Sequence, residues 1–152
     1  MALVIRPIRC EEAGALTELA LHSKAHWGYD AAFMAEARKE IALNAVELAQ
    51  FTAYALERSG RLIGFYSLKP LADGKIELHD LWVEPEFIGK GYGARLWFHA
   101  VRCARARGYR ELELVADPNA EPFYLRRGAS TVGYQPSGIR RDRRMPVMKV
   151  EL

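Results

Sequence analysis

The sequence predicts a mixed α/β domain, with a central mixed sheet of about seven strands flanked by four helices in the order β-α-α-β-β-β-α-β-α-β-β. Three observations carry this reading. The apolar period is helical in the first part of the chain and changes to strand alternation from Phe51 onward. Three consecutive strand candidates are joined by short glycine turns, which argues for an antiparallel meander. A long helix then connects two strands, which should therefore lie side by side and parallel.

Leu3 to Ile8 is the first strand, short and carrying a proline. Glu11 to Lys24 follows as a helix, with Ala13, Leu16, Leu19 or Ala20, and Ser23 along one stripe. The run from His22 to Tyr29 breaks that pattern and mixes polar with aromatic residues. Asp30 suits the N-cap of a second helix reaching to about Ala45, on which Met34, Ala37 and Ile41 give the apolar spacing. Phe51 to Glu57, Leu62 to Leu68 and Lys75 to Val83 are the meander strands, with turns at Ser59-Gly60 and Ala72-Asp73-Gly74. A helix from Gly91 to about Arg107 aligns Leu96, Ala100, Cys103 and Arg107, and Gly108 stops it. Arg110 to Ala116 is a strand and Asn119 to Arg127 a short helix, while Ala129 to Tyr134 and Arg144 to Val150 complete the sheet.

The 152 residues fit one domain, 1–152, with no repeat, linker or low-complexity stretch. Half of them are apolar and 27% charged, the composition of a globular protein. No apolar run approaches the ~20 residues that span a bilayer, and the N-terminus lacks a signal-peptide cleavage site. A cytoplasmic location without a membrane partner is therefore expected. Cys10 and Cys103 make neither a disulfide framework nor a zinc spacing, so both are expected as reduced thiols and no metal is expected. The net charge of +3 is mild for nucleic-acid binding. Arginines nevertheless crowd the C-terminal half, among them Arg126, Arg127, Arg140, Arg141, Arg143 and Arg144. A solvated surface accounts for such a crowd, and so does an anionic ligand such as a nucleotide cofactor. The arginine loop lacks interleaved aromatics, which disfavours RNA as its partner.

Chemistry concentrates in Gly89-Lys90-Gly91-Tyr92-Gly93, between a strand and a helix. Alternating glycines let the backbone turn its N–H groups toward one point, and the following helix adds its free N–H groups and the positive end of its dipole. Together they suit a pyrophosphate. Gly89-x-Gly91-x-x-Ala94 also satisfies a dinucleotide fingerprint, with Glu113 at a suitable distance. However, Pro85 and its neighbours separate the strand from the first glycine, and only one further βα unit follows. A two-lobed dinucleotide fold cannot be built from that remainder.

The run from Leu81 to Trp97 resembles the acetyl-CoA motif of the GNAT family of N-acetyltransferases, in which Val-x-Pro precedes an Arg/Gln-x-x-Gly-x-Gly/Ala turn. Val83, Pro85, Gly91 and Gly93 match it. Asp117 to Ala129, with Asn119 and Tyr124, resembles the family's second signature. The family's Arg or Gln is Ile88 here, which leaves phosphate binding to the backbone, to Lys90 or to a nearby arginine. The residue after Gly128 is Ala129 instead of Phe.

The resemblance implies the GNAT-like acyl-CoA N-acyltransferase fold, acetyl-CoA as cosubstrate, and direct transfer to a primary amine of a small molecule, amino acid or peptide. It implies that coenzyme A contacts Leu81, Trp82, Val83, Ile88, Gly89, Lys90, Gly91, Tyr92, Gly93, Ala94, Asn119 and Phe123. The strand ending at Val83 should be splayed from its neighbour by a bulge, with the Val83 N–H facing the thioester oxygen. Tyr124 would be the general acid and Glu77 the general base, although His79 or water could take the proton instead. Strand alternation places Glu77, His79, Leu81 and Val83 on one face, with Asp80 on the other. Asn119 suits a helix N-cap. The acceptor is expected between the first two helices and the last strand pair, against Trp27, Tyr29 and His79. A homodimer is a candidate assembly. The alternative from another class is a catalytically weak coenzyme A binding module or sensor.

Overall fold

Alternating apolar residues build the meander half of a seven-stranded sheet in the computed structural model, which describes residues 2–152. Strands β1 (Leu3–Pro7), β2 (Thr52–Arg58), β3 (Arg61–Pro70) and β4 (Lys75–Val83) pair antiparallel in sequence order. Helix α4 (Tyr92–Ala106) connects β4 to β5 (Glu111–Val115), and these two strands pair in parallel. Strand β7 (Arg144–Glu151) enters between β5 and β6 (Ser130–Pro136), so the order is β1-β2-β3-β4-β5-β7-β6. The mixed sheet and the expected order of strands are both present.

Helices cover both faces. On one face Leu96, Trp97, Ala100 and Ala104 of α4 pack on Leu56, Tyr66, Leu68, Leu112 and Met148 of the sheet. On the other, Leu16, Leu19 and Ala20 of α1 (Ala13–Ala25) pack on Ala55 and Phe65, joined by Leu48 of α3 (Ala45–Gln50). Among the described residues no helix is long and apolar enough to cross a membrane. Cys10 and Cys103 are free thiols, as expected.

The structure corrects three local expectations. The second helix, α2 (Ala31–Ile41), does not run on to Ala45. Asn44 accepts from the Glu47 N–H at 2.8 Å and starts a separate α3, which makes five α-helices among the described residues instead of four. Its short polar side chain competes for backbone donors, which favours a cap over a helix interior. Asn119 is likewise not a helix N-cap. It lies inside a 3₁₀ turn, Pro118–Ala120, capped by the Asp117 carboxylate, and α5 (Glu121–Arg126) begins after that turn. The third concerns strand alternation, which the bulge implied by the family resemblance breaks at His79. Pairing passes from Ser67↔Asp80 to Leu68↔Leu78, which leaves His79 as an extra residue in β4. Beyond it the alternation is out of step with Glu77. Leu81 and Val83 join the core under α4, together with Ile76 and Leu78.

The relation that positions the site is the divergence of β4 from β5. They pair only at Lys75↔Glu111, Ile76↔Leu112 and Glu77↔Glu113. Beyond Glu77, β4 runs on to Val83, while β5 stays with β7 as far as Val115↔Val147.

Candidate active site

The divergence leaves backbone groups of β4 facing an open gap. Glu84 donates its N–H to Ile63 of β3 at 2.9 Å. In an antiparallel ladder successive residues point their N–H and C=O groups to opposite sides. Val83 and Leu81 therefore turn theirs away from β3, toward the gap. A cavity of about 450 Å³ occupies it, lined by Leu81, Trp82 and Val83 on one side and by Asn119, Phe123 and Tyr124 on the other. Trp27, 44% exposed, stands at its edge.

Ile88, Gly89, Gly91, Gly93 and Ala94 form the end of this cavity at the N-terminus of α4. Gly91 is the N-cap at φ 87° and Gly89 has φ 82°, a left-handed conformation that costs glycine little and other residues more. Gly93 serves another purpose, because a Cβ there would lie 3.2 Å from the Phe123 ring. The turn and α5 meet closely only because Gly93 lacks a side chain. This is a cradle of backbone donors at a helix N-terminus, with room for a phosphate group.

Of the two cation sources left open for this end, the arginines are the ones that line the cavity. Lys90 does not line the cavity, and its Nζ sits 5.7 Å above the Phe87 ring. Tyr92 also turns to Phe87, edge-on with ring centroids 5.9 Å apart. Arg126 and Arg127 line the cavity instead. The Arg127 guanidinium lies 5.0 Å over the Phe123 ring, and its Nε is buried without a hydrogen-bond partner among the described residues.

Tyr124 is 8% exposed and still lines the cavity, held edge-on by Trp97 and Phe123 with centroids 5.7 and 5.1 Å away. Burial, and secondarily the charge of Asp80, push its phenol well above the ordinary range. It stays protonated at neutral pH and can donate.

A second cavity of about 280 Å³ adjoins the first, sharing Trp82 and Asp117. It lies where an acceptor was expected, between residues of the first two helices (Lys24, Glu40, Ile41) and the β6–β7 connection (Gln135 to Ile139, Arg143). The bulge puts His79 and Asp80 on this cavity together, against the expectation that Asp80 faces away. Asp80 is already engaged, accepting from Ser67 Oγ at 2.6 Å and from Trp82 Nε1 at 3.1 Å. Glu77 lines neither cavity. It accepts from His79 Nδ1 at 2.7 Å. That bond raises the His79 pKa above its ordinary 6.5, against burial, and lowers that of Glu77.

Tyr29 lines neither cavity. It belongs to a charged cluster for which the sequence reading had no role. Its hydroxyl donates to Asp117 Oδ2 at 2.8 Å and accepts from Asn119 Nδ2 at 3.0 Å. Lys24 Nζ reaches the same carboxylate oxygen at 2.6 Å, and Arg143 Nη2 at 3.0 Å. Burial by itself would raise the Asp117 carboxyl, but Lys24 and its other donors hold it down to about 2. Burial lowers the Lys24 ammonium despite Asp117. One anion serving two cations favours its own charge more than either of theirs.

The model of the acetyltransferase (GNAT) family matches residues 15–129. The PaiA N-acetyltransferase of Thermoplasma acidophilum, in complex with coenzyme A, superposes with a TM-score of 0.83 at 22% identity over 100% of both chains. An acetyltransferase of Bacillus subtilis, also in complex with coenzyme A, gives 0.76 at 18% identity over 99% of each chain. The ribosomal-protein-S18-alanine N-acetyltransferase of Escherichia coli gives 0.75 at 14% identity, covering 99% of this chain and 94% of its own. A search of curated protein sequences returned no match.

Proposed function

The chain belongs to the acetyltransferase (GNAT) family, and on that premise we propose that it moves the acetyl group of acetyl-CoA directly onto a primary amine. The observation that carries this reading is the open gap between β4 and β5, into which Val83 and Leu81 turn their backbone groups, with a glycine cradle at one end and a protonated tyrosine on the opposite wall.

The residues divide the work by position. The N–H groups of the Gly89 to Gly93 turn, with Arg126 and Arg127 near them, hold the pyrophosphate of coenzyme A. Ile88 leaves that task to the backbone and the arginines. The pantetheine arm pairs with β4 as an added strand, and Asn119 and Phe123 wall it in. The Val83 N–H donates to the thioester oxygen where negative charge develops.

An alkylamine with a pKa near 10.4 is mostly charged at neutral pH and must lose a proton before it attacks. His79 lines the acceptor cavity and takes that proton. Glu77 holds the hydrogen on Nδ1, which leaves Nε2 as the base, so Glu77 acts as a positioning residue. The amine nitrogen forms the new bond to the acetyl carbon, the carbon–sulfur bond breaks, and the nitrogen gives up its second proton to solvent. Tyr124 gives its phenolic proton to the departing thiolate and regains one from solvent. No cysteine lies at either cavity, which fits direct transfer without an acetyl-enzyme.

The experiment is amine-dependent release of free thiol from acetyl-CoA, with mass detection of the N-acetyl product over a broad amine panel. Product with at least one acceptor class supports transfer. Tight acetyl-CoA binding with no product would favour a non-catalytic coenzyme A module.

A further inference from the structure

The reaction scheme leaves the Lys24, Asp117 and Arg143 cluster without a task, although it is a large commitment of buried charge. The three side chains are 7%, 8% and 15% exposed. Lys24 and Arg143 both line the acceptor cavity. Two cations share one carboxylate, so the cluster carries an excess positive charge. Asp80 and Glu40 line the same cavity, so its pull on an anion comes from the direction of an unpaired donor and not from net charge.

Arg143 adds a directional requirement. Its Nη2 is taken by Asp117 and by the Tyr29 hydroxyl. The guanidinium lies over the rings of Tyr29 and Phe33, at 4.7 and 5.2 Å, which fixes its plane. Its Nη1 is buried and has no hydrogen-bond partner among the described residues. A buried charged donor without an acceptor is costly, and a guanidinium presents its donors in a rigid fork that matches a carboxylate. The site gains when an anion arrives.

We propose that the acceptor is an amino carboxylate, such as a free amino acid, whose carboxylate is held by Arg143 Nη1 and Lys24 while its amine lies toward His79 and the adjoining cavity. This rests on the acetyl-transfer reading above and narrows its substrate class.

The test is thiol release from acetyl-CoA with matched acceptors: free L-amino acids, their carboxamides, and the amines that lack the carboxyl group. The wild-type protein is expected to prefer the acids by roughly thirtyfold or more in kcat/KM over both neutral partners. Arg143→Gln is expected to raise KM for the acids by a similar factor with little change in kcat, and to change KM for the amides by a much smaller factor. Arg143→Lys recovers part of the loss. The wild-type comparison stands even where a variant fails to fold. Amides or simple amines turned over as well as the acids overturn the carboxylate assignment and leave acetyl transfer intact. An Arg143→Gln loss that is equal for acids and amides also overturns it. No turnover of any acceptor by protein that binds acetyl-CoA overturns the transfer reading, and this inference with it.

Discussion

His79 Nδ1 lies 2.7 Å from Glu77 Oε1, two residues back along the same strand. A regular strand would also put them on one face, but the bulge at His79 sets the imidazole on the acceptor cavity and leaves Glu77 off it. The ion pair raises the pKa of His79 above 6.5. A base works only when neutral, so kcat/KM is expected to fall as the pH drops through this raised value. Glu77→Gln removes the main cause of the shift, so the midpoint of the fall moves to lower pH. The check is a pH–rate profile with an acceptor whose own amine titrates above that window. An unshifted midpoint removes His79 from the role of base.

Tyr124→Phe keeps the ring that packs on Trp97 and Phe123 and deletes only the proton donor. Stability and acetyl-CoA affinity are expected to hold, while kcat falls by about 10²- to 10⁴-fold, the ordinary scale of general acid catalysis. Stopped assays of thiol release and a thermal melt read the two effects separately. Unchanged turnover would mean that the thiolate leaves without help from this phenol.

Gly93→Ala places a methyl group 3.2 Å from the Phe123 ring. The expected cost is about 1–3 kcal/mol of overpacking, with weaker coenzyme A binding because the turn is pushed off α5. Phe123→Leu in the same chain should relieve part of the clash, so the two changes are expected to be non-additive. Gly91→Ala acts differently, through backbone strain at φ 87°, and no change at Phe123 should rescue it. Urea denaturation and titration with coenzyme A distinguish the two mechanisms.

Asp117→Asn leaves Lys24 and Arg143 as buried charges without their anion. Removing one partner of a buried pair typically costs about 3–5 kcal/mol. The acid limb is also predicted. The folded carboxyl titrates at about 2, below its ordinary 3.8, so its stabilisation is present above the ordinary value and lost as the pH falls toward 2. The Asn variant should lack that part of the acid dependence. A set of urea midpoints across this pH window measures it.

Much of this could be read along the chain because it is local. Val83, Pro85, Gly89, Gly91 and Gly93 are near neighbours in sequence, and their spacing displays both the turn and the strand before it. The meander showed itself through alternation and glycine turns. The charged cluster did not, because Lys24 and Asp117 are 93 residues apart and Asp117 and Arg143 are 26 apart. One signal was present: Lys24 lies one helical turn past Ala20 and two past Leu16, on the buried stripe of α1, where a lysine needs a partner. The resemblance implied a bulge but not its position at His79, so simple alternation assigned Asp80 to the wrong side. The sequence left the phosphate's cation open between Lys90, inside the motif, and a nearby arginine; the fold turns Lys90 to Phe87 and brings Arg126 and Arg127 to the cavity from α5 and its end.

The central claim is that the gap between β4 and β5 holds acetyl-CoA with its pyrophosphate on the glycine turn. A crystal structure with coenzyme A tests it most directly. The account predicts the pyrophosphate against the backbone N–H groups of Gly89 to Gly93, the pantetheine alongside Leu81 to Val83, and the sulfur within reach of the Tyr124 hydroxyl. Coenzyme A bound anywhere else on the chain, with the gap left to solvent, would contradict it.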